Sequence, residues 1–166
     1  QLPTWVVMDV LDFSDASKIF GALTLEFQIP IAACWGIDSK KITLSKSQWK
    51  ETRRVHPLVP WLRQLTLLRN RSAHHSRVWN ATLAPAGTNV TRHLDGMAAL
   101  PENQSERVYG CLASLAKVLE ATSSKSSWPL KAKTLLQTGL ADIPLFTSQS
   151  IGAIEQWDQT GIWAGL

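Results

Sequence analysis

Apolar residues recur along the chain at helical spacing, and no stretch alternates between apolar and polar residues as a half-buried strand would. Prolines, glycines and serine clusters interrupt this pattern and mark the predicted helix ends. The pattern therefore predicts an all-α protein, a small helical bundle. Helices are predicted over 5–13, 18–25, 31–36, 48–55, 58–79, 107–121 and 131–138, with loops over 38–47 and 84–104 and a turn-rich tail over 141–166.

The longest predicted helix, 58–79, has Pro57 or Pro60 in its first turn, where proline is tolerated. Its apolar positions begin with large residues and end with small ones, so that another element can pack closely against its far end. Asn80 is its predicted C-cap. Earlier in the chain, Pro30 is expected to break the helical pattern, and Gly36 to end the short helix that follows.

Length and composition are typical of one globular domain, with 166 residues of which 45% are hydrophobic. The sequence has no apolar run of about 18 residues or more and no signal-peptide pattern, so we expect a cytoplasmic protein without a membrane partner. Cys34 and Cys111 are accordingly expected to be buried, reduced thiols. The first residue is not Met, which suggests a fragment or a processed product. Eight tryptophans are spread along the chain, which favours core anchors over a surface for stacking bases.

Positive charge is concentrated in residues 52–94, which contain no lysine and no acidic residue, although the net charge of the chain is only +4. Such an acid-free segment is typical of a protein with a phosphate-bearing partner, and the planar guanidinium of arginine suits phosphate. A solvated basic face without a partner is the alternative. All four histidines lie in this segment, and its arginines are Arg53, Arg54, Arg63, Arg69, Arg71, Arg77 and Arg92.

The segment 68–80, L-R-N-R-S-A-H-H-S-R-V-W-N, carries the candidate chemistry, and we call it the Arg-His motif. RNA is cut without a metal when its 2′-hydroxyl attacks the adjacent phosphorus. This reaction needs a group that moves protons near neutral pH, as histidine does, and a cation that holds the phosphorane charge, as arginine does. Arg69 and His74 are the candidates, and Asn70 could orient either one by hydrogen bonding.

Helix geometry leaves the motif ambiguous. The five-residue step from Arg69 to His74 corresponds to about 140° around a helix and a rise of about 7.5 Å, so the two residues do not share a face. His75 is about 120° from Arg69 on the other side, so geometry does not choose between the two histidines. A zinc site built from the histidines is a further alternative, but none of their spacings is typical of a metal site.

The Arg-His motif resembles the signature of the abortive-infection (Abi-like) family of bacterial phage-defence proteins, in which L-R-N-x-x-A-H-H-x-R-L-W-N is typical. That family is assigned to the HEPN superfamily, whose motif is an arginine followed after four to six residues by a histidine. Residues 5–17 resemble the family's W-V-V-x-E-x-L-S-F-G-x-L-S segment, with Asp9 in place of its glutamate and without its glycine. Residues 60–65 resemble its W-L-x-x-L lead-in, and 152–163 resemble its G-x-x-x-x-W ending.

The resemblance covers the C-terminal half of a typical member, so residues 1–166 would form one HEPN-like helical domain of a longer protein. It implies a metal-independent endoribonuclease, with no cofactor and no metal, that acts as a toxin during phage infection. Arg69 and His74 would be catalytic. The active sites would be assembled at the interface of a homodimer, and an RNA or protein antitoxin would be a further partner.

The other residues in and near the motif have further interpretations. His75 is interpreted as a supporting residue, with a second proton carrier and an RNA contact as alternatives. Arg77 either holds phosphate or pairs with a carboxylate elsewhere in the fold, and Arg71 and Arg63 are further candidates for RNA binding. Trp79 and Asn80 are interpreted as structural. For the whole protein, the alternative to a nuclease is a non-catalytic RNA-binding or assembly module that uses the same basic helix.

Overall fold

The computed structural model describes residues 11–38, 44–86, 88–101, 106–139 and 143–166. These residues form seven α-helices and contain no strand, which confirms the predicted all-α bundle. The helix predicted over 5–13 lies almost wholly outside the described residues. The helices are α1 (Phe13–Ala22), α2 (Leu25–Cys34), α3 (Lys46–Thr52), α4 (Leu58–Ala73), α5 (Thr88–Thr91), α6 (Val108–Thr122) and α7 (Trp128–Thr134).

Helix α1 begins earlier than predicted because the side chain of Asp12 caps it and accepts a hydrogen bond from the backbone N–H of Asp15 at 2.8 Å. Its last carbonyl groups are satisfied from the next helix, since the buried Gln28 amide donates to the carbonyl oxygens of Phe20 and Leu23. The side chain of one residue thus fixes the junction between α1 and α2.

The predicted break at Pro30 is wrong, because Pro30 lies inside α2. The missing N–H of proline removes one hydrogen bond, but the helix continues to Cys34. The role predicted for Gly36 is correct. Gly36 has φ +74°, and the N–H of Ile37 donates back to the carbonyl of Ala32 at 2.9 Å, which ends the helix in a Schellman turn.

Helix α4 packs against both α1 and α6. Trp61 and Leu58 on its inner face are almost fully buried. His56 precedes this helix, and its Nδ1 accepts a hydrogen bond from the N–H of Leu58 at 3.2 Å. Truncation of a buried tryptophan costs about 3–5 kcal/mol, so Trp61 is a principal anchor of this core.

The C-terminal half of the chain completes the same core. The segment predicted as a loop over 84–104 contains the short helix α5, and it buries Val90, Leu94, Met97 and Leu100. Helix α6 nearly coincides with the helix predicted over 107–121. A π-helical turn, Leu135–Gly139, prolongs α7. The tail contains 3₁₀ turns at Ser148–Ile151, Trp157–Gln159 and Gly161–Trp163.

Tryptophans provide much of this core, as the sequence predicted. Trp157 and Trp163 pack edge-to-face with ring centroids 5.7 Å apart, and both rings lie next to Tyr109 of α6. Of the two free cysteines, Cys111 is buried as expected, and burial raises its pKa to about 12. Cys34 is exposed, so the prediction that it is buried was wrong. In the described part of the chain, no helix combines the length and apolarity needed to cross a membrane.

Candidate functional site

The Arg-His motif spans the C-terminal end of α4, and the helix ends inside it. The predicted helix over 58–79 was too long, because α4 stops at Ala73 and His74 is its C-cap. His75 adopts φ +53°, and the N–H of Ser76 donates to the carbonyl of Arg71 at 2.8 Å. This is the hydrogen bond of a Schellman turn, with histidine in the left-handed position that glycine usually occupies.

The chain beyond the turn is anchored to the C-terminal tail. The indole N–H of Trp79 donates to the hydroxyl of Ser150 at 3.0 Å. Asn80 has φ +50°, and its side-chain oxygen accepts a hydrogen bond from Arg107 at 2.7 Å, so it is not the helix C-cap that the sequence predicted. Arg107 in turn packs against Gly152, where a Cβ atom would overlap it. These contacts agree with the structural roles predicted for Trp79 and Asn80.

Arg69 lies in the last full turn of α4 and is exposed. Its Nη1 donates to the side-chain oxygen of Asn70 at 3.0 Å. The sequence left open whether Asn70 orients Arg69 or His74, and in the structure it binds Arg69. An arginine held by one neutral acceptor keeps its charge and its other N–H donors available for a ligand.

Several basic side chains lie along the outer surface of α4 and just beyond its end. His74, His75, Arg77 and Arg63 are exposed and Arg71 is partly buried. Within the described ranges, no carboxylate lies within ion-pair distance of these arginines or of Arg69, so the alternative that Arg77 pairs with a carboxylate finds no partner there. The C-terminus of a helix carries about −0.5 of an elementary charge, which repels anions. Any phosphate bound here would therefore depend on the arginine side chains.

A groove opens beside Arg69, between α4 and α6, with a volume of about 530 Å³. Its lining is largely apolar, and Arg69 is the charged residue among the lining residues. We call it the Arg69 groove. It is lined by residues that include Phe13, Leu68, Arg69, Ser72, Leu112 and Trp128.

The Arg69 groove does not bring Arg69 and His74 together. Arg69 lines the groove and His74 does not, which agrees with the angular separation expected from helix geometry. Sequence reasoning missed Phe13 and Trp128 as neighbours of Arg69. No local sequence signal could have found them, because each comes from a different helix.

The zinc alternative finds no support in the described ranges, where no cluster of metal-ligating side chains occurs. The histidines of the proposed cluster are dispersed, since His56 is buried before α4 and the exposed His93 lies against the side chain of Gln48 at 3.0 Å. Burial lowers the pKa of His56 to about 4, so this histidine is neutral at physiological pH.

Comparison with known proteins gave one family. The sequence model described as "Abi-like protein" matches residues 1–80, and the match ends at Asn80, the last residue of the Arg-His motif. The similarity of residues 152–163 to the family's ending lies outside this match. Neither the curated proteins nor the solved structures gave a significant match.

Proposed function

We propose that this chain is a metal-independent endoribonuclease of the HEPN type that acts in bacterial abortive infection, because residues 1–80 match the family model described as "Abi-like protein". The match contains the whole Arg-His motif. Residues 1–166 would form one HEPN-like domain, acting in the cytoplasm under the control of an RNA or protein antitoxin.

One structural observation supports this proposal above the others. Arg69 and His74 stand exposed at the end of α4, and within the described ranges no carboxylate forms an ion pair with Arg69 or with the neighbouring Arg71 and Arg77. A purely structural arginine is expected to be paired or packed against the fold. Among the described residues, Arg69 instead donates a hydrogen bond only to a neutral amide, and it lines an open groove.

The proposed reaction uses these two side chains in different roles. His74 accepts the proton of the 2′-hydroxyl, the 2′-oxygen forms a bond to phosphorus, and the bond from phosphorus to the 5′-oxygen breaks. The leaving 5′-oxygen takes a proton from solvent, and the products carry a 2′,3′-cyclic phosphate and a 5′-hydroxyl. Arg69 stabilises the charge on the phosphorane, and Asn70 holds the guanidinium in place. His75, Arg71, Arg77 and Arg63 support RNA binding.

A homodimer would bring the two roles together. Helix α4 is continuous from Arg69 to Ala73, and the N–H of the C-cap residue His74 still donates to the carbonyl of Asn70 at 3.0 Å, so the estimate of about 140° from Arg69 applies to the folded chain. Two α4 helices related by a twofold axis would place Arg69 of one protomer opposite His74 of its partner. The exposure of both side chains leaves them accessible for such an arrangement.

The test of catalysis is RNA cleavage in the presence of EDTA by the wild type, Arg69→Ala and His74→Ala. We expect the wild type to leave 2′,3′-cyclic phosphate ends, and each variant to lose about 100-fold or more in rate. Two controls probe exposed residues outside the motif: His93→Ala removes another histidine and Lys50→Ala another positive charge. Both controls should cleave at the wild-type rate.

Equal cleavage by all five proteins would reveal a contaminating nuclease and refute the proposal. A non-catalytic RNA-binding module would give a different result. His74→Ala would then bind RNA as the wild type does, while Arg69→Ala would lose affinity and part of its salt dependence, and neither the wild type nor any variant would cleave.

The shared site has its own test, which is the mixing of two inactive variants. When Arg69→Ala and His74→Ala are refolded together, half of the dimers contain one copy of each, and one of the two sites in such a dimer is intact. About a quarter of the wild-type activity should therefore return. No recovery, with mixed dimers present by native mass spectrometry, would show that each site lies within one protomer.

A further inference from the structure

The Arg69 groove combines apolar walls with one guanidinium at its edge, and this combination limits what it can bind. Its volume of about 530 Å³ lies within the range of small-ligand sites, about 300–1,000 Å³. No acidic residue lines it, and the neighbouring motif residues Arg71 and Arg77 add positive charge. The surroundings therefore favour a ligand with an anionic part and an apolar part.

Two aromatic rings line the groove. Phe13 at the start of α1 is 40% exposed, so its ring is accessible from solvent. Trp128 at the start of α7 is partly buried and packs against the main core, and it also lines the groove. The faces of aromatic rings bind nucleobases by stacking, whatever the base, since every base has a π-face.

The two aromatic rings lie close to the proposed phosphate contact, because Arg69 lines the same groove and would also hold the phosphate. Ser72, one helical turn after Arg69, supplies an exposed hydroxyl at the same wall. A nucleotide has the matching composition, with a flat base whose faces are apolar, a polar edge and an adjoining phosphate. We propose that the Arg69 groove binds one unpaired nucleobase of the RNA, stacked against Phe13 and Trp128, while the adjoining phosphate contacts Arg69.

This inference rests on the proposed function for the identity of the ligand, and it adds a base-binding site that the Arg-His motif does not contain. It also restricts the substrate. A base inside a duplex is stacked and paired on both sides, so only a base that has left the stack can enter the groove.

The test uses NMR of the tryptophan indole N–H groups, with Trp128→Phe to identify the signal of Trp128. Adenosine 3′-monophosphate should shift this signal, whereas ribose 5-phosphate and inorganic phosphate should not. Phe13→Ala should weaken binding of the mononucleotide about tenfold by loss of stacking, and Phe13→Tyr should retain it. Arg69→Ala should weaken binding of the mononucleotide but leave binding of adenosine unchanged.

Two results would overturn the inference. In the first, ribose 5-phosphate shifts the Trp128 signal as strongly as the mononucleotide does. In the second, Phe13→Ala binds the mononucleotide as tightly as the wild type. A groove that instead accommodates a second copy of the chain would give no shift with any nucleotide, and Phe13→Ala would dissociate the dimer in sedimentation experiments.

The failure of this site and the failure of the nuclease proposal are distinguishable. If the mononucleotide binds as expected but RNA is never cleaved, the groove is a base site in a protein without nuclease activity. If the wild type cleaves RNA and Phe13→Ala has unchanged kcat and KM, the nuclease proposal stands and the groove does not bind the substrate base.

Discussion

Two adjacent histidines at the end of α4 have opposite backbone conformations, with φ −96° at His74 and φ +53° at His75. A side chain in the left-handed region costs about 1–2 kcal/mol, because its Cβ approaches the following carbonyl oxygen. Glycine at position 75 removes this cost, but it increases the conformational freedom of the unfolded chain, which lowers the free energy of unfolding by about 0.4–1 kcal/mol. The side chain of His75 forms no hydrogen bond with a described residue, so little else is lost. We expect His75→Gly to raise the free energy of unfolding by about 0.5–1 kcal/mol.

The matched control is His74→Gly, which changes the same type of exposed side chain one residue earlier. Its backbone is already in a region open to any residue, so glycine brings only the unfolded-state penalty, and stability should fall by about 0.4–1 kcal/mol. Urea unfolding, followed by both tryptophan fluorescence and far-ultraviolet circular dichroism, measures the two changes. The reasoning is refuted if both variants are destabilised equally, since the sign of φ would then not determine the outcome.

Two further predictions concern stability away from the motif. Burial lowers the pKa of His56 from 6.5 to about 4, so between these values the unfolded chain binds a proton that the folded chain does not. The free energy of unfolding should fall by about 3 kcal/mol as the pH falls through this range, and His56→Gln should lack this part of the loss. The same pH dependence of urea unfolding in the wild type and in His56→Gln would contradict this prediction. Gly152→Ala should lower the melting temperature at a cost of about 2 kcal/mol, since φ is +85° there and the new Cβ would lie 2.7 Å from Cγ of Arg107. Gly21→Ala, where the nearest atom is 3.5 Å away, is the control and should not destabilise the protein.

The helical bundle was predictable because its helices carry their own signals. The apolar spacing of α6 placed it within a residue or two, and the glycine at position 36 marked the end of α2. The end of α4 was missed because His75 takes the role of that glycine, and composition gives no sign of it. Pro30 caused the opposite error, a predicted break where α2 continues, since the helix tolerates the loss of one hydrogen bond.

The candidate site was predictable only where it is local. Arg69, Asn70 and His74 are close in sequence, and their residue types alone suggested phosphate binding and proton transfer. The Arg69 groove depends on tertiary packing that brings α1 and α7 to the same side of α4. Periodicity within a helix does not determine which residues of distant helices meet, so Phe13 and Trp128 could not be identified.

Trp79 and Asn80 bind Ser150 and Arg107, so the end of the family match is not the end of the structural unit that holds the motif. The match to the family model ends at Asn80, but the atoms that hold Asn80 belong to residues beyond it. A fragment cut at that boundary would retain every residue of the Arg-His motif and lose the supports of its last two. A deletion or protease cut in the tail, far from the motif in sequence, would therefore act on the motif as directly as a substitution within it.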